Sequence, residues 1–168
     1  MRIRRILVPT DFSPASDAAL AQARELAGTL GASIRLVHVF DDQAVTGALV
    51  ADGQMFLPSE MRGLVMSGVE ARLREKLTAN VDASLGHDTA LLTGPVAGTI
   101  VEYAQSHAAD LIVMGTHGRS GVAHLLLGSV AERVVRTAPC PVLTVRQHPL
   151  AAAVAETSMM AVPLPVQA

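Results

Sequence analysis

Between Asp110 and Ser129 the chain reads DLIVMGTHGRSGVAHLLLGS. The apolar run Leu111 to Met114 ends at Gly115, Gly118 follows, and Gly128 and Ser129 complete the spacing G-x2-G-x9-G-[ST]. Beyond them, Leu127, Val130, Val134 and Ala138 recur at helical spacing, which predicts a helix over Leu127 to Thr137. A short apolar run of this kind fits a strand buried on both faces. A buried strand, a glycine-bearing loop and a helix N-terminus together suit a phosphate. Glycine lets backbone N–H groups approach an anion closely, and a helix start leaves donors without intrahelical partners.

The same alternation runs through the rest of the chain. Ile3 to Val8 reads as a first strand. Ser13 and Pro14 read as the N-cap and first residue of a helix, with Ala19, Ala23, Leu26 and Leu30 inward and Gly31 as its stop. Ser33 to Phe40 is a second strand, and Asp41 to Leu57 is an insertion without a clear period. A long helix from Ser59 to about Leu85 carries Leu64, Leu73, Leu77 and Val81 among its apolar positions, although Gly63 and Gly68 weaken its first half. Asp88 to Thr93 is a third strand, and Val96 to Ala108 a helix with Ile100, Val101 and Ala104 inward. Leu111 to Met114 is the fourth strand and Pro141 to Val145 the fifth. Strands alternating with helices predict an α/β fold with an open five-stranded parallel sheet, helices on both faces and right-handed crossovers. The order 3-2-1-4-5 makes strands one and four neighbours. Their carboxyl ends, Pro9-Thr10-Asp11 and Met114-Gly115-Thr116, then share one crevice at the switch point.

A chain of 168 residues predicts one domain, over residues 1–146, with an Ala- and Pro-rich tail at 147–168 that reads as extended or poorly ordered. The net charge of −2, scattered basic residues and low aromatic content argue against a nucleic-acid partner. No apolar run reaches the roughly 18 residues of a membrane span. Pro9, Thr10 and Asp11 interrupt the only stretch resembling a signal peptide, so a cytoplasmic protein is expected. Cys140, the single cysteine, lies between two prolines and reads as a packed, inert thiol. His87, His107, His124 and His148 lack metal-ligand spacing, and HExxH and CxxC do not occur, so no metal site is expected in the protein itself.

Each candidate site residue has a plain structural alternative. Asp11 accepts hydrogen bonds from ribose hydroxyls, or it braces the first helix. Gly115 and Gly118 wrap phosphates, or they make an ordinary strand-to-helix turn. Ser129 contributes its hydroxyl to a phosphate, or it caps the helix through the box Ser129-Val130-Ala131-Glu132. His117, Arg119 and Ser120 lie in the loop, where they meet phosphate charge or only solvent. His38, inside the second strand, reads as a packed core residue.

At these residues the chain resembles the universal stress protein family. The resemblance spans about residues 2–146 and rests on ILVPTDFS, LVHVF, GPVAGTIVEYA, DLIVMGTHGRSG and LLGSVAERVVRTAPCPVLTVR. It implies the 3-2-1-4-5 sheet, an adenine nucleotide alpha-hydrolase-like, Rossmann-like fold. One branch of that family keeps G-x2-G-x9-G-[ST] and binds ATP; the other lacks it. Gly115, Gly118, Gly128 and Ser129 place this sequence with the former. By matching positions, Pro9, Thr10, Asp11 and Val39 would line adenine and ribose. Met114, Gly115, Gly118, Gly128, Ser129 and Val130 would continue around the phosphates, with ATP and Mg2+ as the implied ligand. The resemblance further implies a homodimer through Val142 to Val145, a strand that would otherwise be an exposed apolar edge. The Asp41–Leu57 segment and the tail are where specificity for an unknown protein partner would lie.

G-x4-G-K-[ST] is missing, and the chain's lone lysine, Lys76, lies far from these residues in sequence. Phosphoryl transfer needs charge neutralisation and a positioned nucleophile. The expectation is a stress-response regulator in which ATP biases conformation or partner binding, with little or no hydrolysis. The alternatives are a slow ATPase, an interaction module with a vestigial site, and a site for a cyclic nucleotide.

Overall fold

A computed structural model describes residues 2–41, 59–116 and 127–146 of the chain. Apolar runs form five strands: β1 (Arg5–Pro9), β2 (Ser33–Phe40), β3 (His87–Thr93), β4 (Leu111–Gly115) and β5 (Val142–Val145). They alternate with α1 (Pro14–Leu30), α2 (Ser59–Asn80), α3 (Val96–Ser106) and α4 (Ser129–Thr137). All strands pair in parallel, in the order β3-β2-β1-β4-β5. The expected fold and strand order are those observed. The first strand starts at Arg5 rather than Ile3. The tail from Gln147 and most of the Asp41–Leu57 segment lie outside the described residues.

Successive strand residues feed opposite faces, as the period of two demands. Ile6, Val8, Ile34, Leu36, Leu111 and Val113 pack under α1 and α2, together with Ala19, Leu20, Ala23, Leu73 and Leu77. Leu7, Val37, Val39, Ile112 and Met114 pack on the other side against Ala97, Ile100 and Ala104 of α3 and Ala131 and Val134 of α4. Both faces of the central strands are therefore dry, which explains why β1 and β4 read as uninterrupted apolar runs.

α1 starts where the sequence places it. Ser13 is its N-cap, its Oγ accepting the Ser16 N–H at 3.3 Å, and Pro14 opens the first turn. Gly31 ends it with φ 64°, a left-handed cap that glycine adopts without steric cost. Its buried stripe is Ala15, Ala19, Leu20, Ala23 and Ala27; these small side chains let the helix sit close to the sheet. Leu30 is 46 % exposed, because it is the helix's last residue, beyond the last buried position. α2 also differs from expectation. It stops at Asn80, and Leu64 is 75 % exposed whereas Leu73, Leu77 and Val81 are buried. At about 100° per residue, Leu64 points half a turn away from Leu73, so it cannot share its stripe.

At the amino end of the sheet, Asp110 Oδ2 accepts the backbone N–H groups of Arg4 and Arg5, each at 2.9 Å. These bonds, the Arg4 one foremost, hold its carboxyl below the ordinary carboxylate range. The stabilisation is present at neutral pH, above the unfolded carboxyl's pKa, and is lost as pH falls through the lower folded value. Asp110→Asn should therefore be less stable than the parent at pH 7, with the difference shrinking on acidification, as read by thermal melts across pH. In the core, Leu77→Ala should cost about 2–5 kcal/mol in urea unfolding, and Leu64→Ala less than about 0.5 kcal/mol.

Candidate functional site

β1 lies between β2 and β4, with Ile6 opposite Leu111 and Leu7 opposite Ile112. Connections leave β1 in one direction through α1 and return past it through α3, so the strand ends at Pro9 and Gly115 flank the switch point. A cleft of about 400 Å³ opens there, a volume suited to a small-molecule ligand. Its apolar wall includes Val37, Val39, Ile100 and Met114; its polar rim includes Thr10, Asp11, Thr116 and Ser129.

Of the residues singled out from sequence, Pro9, Thr10, Asp11, Val39, Met114, Gly115, Gly128, Ser129 and Val130 all line this cleft. They come from four separate stretches of chain. His117, Gly118, Arg119 and Ser120 lie outside the described residues. The cleft also takes in Ser16, Val37, His38, Val96, Ile100, Thr116 and Ala131. Several of these were legible in principle. Thr116 follows Gly115 directly, Val37 shares a strand face with Val39, and Ser16 falls in the first turn after the Asp11 loop.

His38 is half-buried and belongs to the cleft, not to the core where its place in β2 suggested. It stands at the carboxyl end of the strand, where its Nδ1 lies 2.7 Å from the carbonyl oxygen of Thr10 and donates to it. A strand-interior histidine looks like core from sequence because nothing local reveals how near the strand end it falls.

The β1–α1 loop is held by hydroxyls. Thr10 Oγ1 accepts the Phe12 N–H at 3.0 Å and lies 3.0 Å from Ser16 Oγ, which donates to the Ser13 carbonyl at 2.8 Å. Ser13 directs both its N–H (3.1 Å) and its hydroxyl (2.6 Å) to Asp11 Oδ1. Asp11 thus braces the helix start, as one reading of it expects, and also lines the cleft. Phe12 sits at φ 63°, a left-handed conformation that costs a non-glycine residue about 1–3 kcal/mol. Its ring lies 4.9 Å from the His38 ring, and the Arg72 guanidinium of α2 lies 4.4 Å from its centroid on the outside.

On the β4 side, Gly115 has a packing reason to be glycine. A Cβ there would lie 2.9 Å from the backbone C and O of Ala15 and 3.0 Å from its Cβ, so β4 ends pressed against the first turn of α1. Gly128 N–H donates to the Thr116 carbonyl at 2.7 Å, returning the chain from the loop to the sheet. Gly128, not Ser129, is the N-cap of α4, and no side chain caps this helix. The expected capping box is therefore not formed: Ser129 falls one residue inside the helix, exposed at the cleft. The first N–H groups of α4 and the Ser129 hydroxyl stand at the rim, the arrangement that favours an anion.

Cys140 packs half-buried against the second core face, and burial raises its thiol pKa, as expected of an inert cysteine. Among the described residues, no group of His, Cys, Asp and Glu is placed to hold a metal ion, and no helix is long and apolar enough to cross a membrane.

Residues 2–146 match the Universal stress protein family. The chain belongs to that family. It is 41 % identical over 144 residues to a universal stress protein of Methanocaldococcus jannaschii, MJ0531, covering 86 % of this chain and 82 % of the relative. Its fold superposes on the solved structure of MJ0577 from the same organism with a TM-score of 0.76 at 24 % identity, over 88 % of this chain and 99 % of that one. A universal stress protein solved in complex with cAMP gives 0.57 at 24 % identity, over 88 % of this chain and all, 100 %, of the other.

The Gly115–Ala15 contact carries a prediction of its own. Gly115→Ala should destabilise the protein by about 1–3 kcal/mol through overpacking against α1. Gly98→Ala, in α3 with open space at its Cβ, should be neutral or stabilising by up to about 1 kcal/mol. Urea unfolding of the two variants checks the contrast.

Proposed function

We propose that this universal stress protein binds an adenine ribonucleotide, ATP with Mg2+, in the cleft between β1 and β4, and that occupancy biases its conformation or partner binding with little or no hydrolysis. The observation that carries this reading is the convergence of Pro9–Asp11, Val39, Met114–Gly115 and Gly128–Val130 on one cleft. Its apolar wall suits a base, Asp11 suits ribose hydroxyls, and the Gly128–Ser129 helix start suits phosphate. A family member bound to cAMP supports the adenine assignment. By their sequence positions, His117, Gly118, Arg119 and Ser120 are assigned in this reading to the phosphate end.

The chemistry of the rim favours binding over turnover. The lone lysine, Lys76, pairs with Asp17 at 2.6 Å between α2 and α1 and does not line the cleft. Among the described residues the proposed phosphate donors are backbone N–H groups and a hydroxyl, and no lysine or arginine lines the cleft there to neutralise charge in phosphoryl transfer. The reading places the protein in the cytoplasm, with its ATP supply.

Denaturing freshly purified protein and identifying the released nucleotide should give ATP at about one per subunit. Gly128→Val should release none. Gly128 has φ −70° and ψ 154°, which valine adopts, so the variant keeps its backbone while filling the cleft mouth. A cyclic nucleotide in the released pool would replace ATP as the ligand. ADP accumulation with metal-dependent turnover would make the protein a slow ATPase, and failure to bind any adenine nucleotide on titration would leave an interaction module.

The proposal extends to a homodimer. β5 is the last strand of the sheet, and Leu143 in it is 37 % exposed. Pairing with a second β5 would satisfy that edge and cover its apolar side chains. Sedimentation should show a dimer for the parent, and a monomer for Leu143→Arg with an unchanged circular-dichroism spectrum.

A further inference from the structure

From the contacts of the β1–α1 loop we infer that Phe12 and Arg72 are positioning residues that set the sugar specificity of the cleft. The inference rests on the nucleotide reading above and adds to it two residues that are not among the cleft's lining.

Asp11 can select ribose only if its carboxylate is held at one angle, because hydrogen-bond strength falls steeply with misalignment. The loop achieves this by bending at Phe12, whose φ of 63° is left-handed. That bend brings Ser13 back so that its N–H and hydroxyl both reach Asp11 Oδ1, at 3.1 and 2.6 Å. A bulky side chain does not hold such a conformation by itself. Here the Phe12 ring packs against the core under α1 and α2 and meets two further side chains. His38 lies 4.9 Å away, tilted by 41° and tied by Nδ1 to the Thr10 carbonyl, while Arg72 caps the ring at 4.4 Å. These contacts join three elements, β2, the loop and α2. Arg72 is exposed, and its guanidinium on the ring is a cation–π contact. Phenylalanine and not glycine occupies the left-handed position because the ring fixes the bend, where glycine would permit it without enforcing it.

The test compares affinities for ATP and 2′,3′-dideoxy-ATP by calorimetry, with melting curves to confirm that each variant is folded. The parent should prefer ATP by about tenfold to a hundredfold, the range for hydrogen bonds to a charged acceptor. Asp11→Asn should reduce that ratio. Arg72→Met, which keeps an apolar stem but no cation, should lower the ratio by about twofold to fivefold, the range for an exposed cation–π contact, and Phe12→Gly, which removes the ring and relieves the backbone, should bring it close to one, both leaving dideoxy-ATP affinity within about twofold of the parent's. Phe12→Tyr should keep the parental ratio, an outcome that a mere loss of stability does not produce. A parental ratio in Arg72→Met or Phe12→Gly overturns the inference. A parent that binds no ATP overturns the nucleotide reading itself. A parent that binds ATP without preference, or an Asp11→Asn variant with an unchanged ratio, overturns the ribose role of Asp11 and the positioning built on it.

Discussion

The cleft exists because β1 pairs with β4. That pairing, Ile6 with Leu111 and Leu7 with Ile112, places a strand from the start of the chain beside one from its last third. All strand ends on this side point the same way, so two loops distant in sequence emerge as neighbours. The pairing in turn relies on both faces of the two strands being apolar. A charged residue at Leu7 or Ile112 would be buried under α3 and α4, and one at Val8 or Val113 under α1 and α2. The site is thus a consequence of core chemistry before it is a matter of rim residues.

Two contacts translate strand pairing into a shaped cleft. Gly115 lets β4 run up against Ala15, which fixes the first turn of α1 relative to the end of β4. The hydroxyls of Thr10, Ser13 and Ser16, all at least nine-tenths buried, satisfy one another and the loop backbone without help from a ligand. Such a network would cost stability if left half-satisfied, and complete it makes the loop rigid. A rigid loop loses little entropy on binding, so its contacts appear in affinity rather than being spent on ordering.

Much of this was readable from residues. Ser13-Pro14 and Gly31 bracket α1 because capping and left-handed backbone are local properties of those residue types. The strand order followed from the family resemblance, which sets the turn residues after two buried apolar runs side by side. The nine cleft residues found together were legible from the spacing of their glycines and from family resemblance. What failed was information carried between elements. Ser129 looks like an N-cap from its Glu132 partner, yet Gly128 is the cap of α4: its N–H is tied to Thr116 of the facing strand end and its carbonyl accepts the Glu132 N–H. Leu64 counts as apolar in composition but sits opposite the stripe of Leu73, a fact of phase along the helix. His38 reads as core until one knows that Phe12 bends over it.

The electrostatics of the rim bear on whether such a cleft should work as a switch or as a catalyst. Helix-terminal N–H groups and a serine hydroxyl carry partial charge spread over several atoms, fixed in place by the fold. They suit a phosphate chain, and neither lysine nor arginine is among the described cleft residues to follow charge onto a leaving group. The lone lysine is instead committed to Asp17, tying α2 to α1. α2 also carries Arg72, so the helix is fastened to α1 and to the β1–α1 loop while its first turns expose Leu64 and Val65 to solvent. A ligand whose contacts favour one arrangement of the β1–α1 loop would act on α2 through those fastenings, and by linkage anything that binds α2 would act back on the ligand.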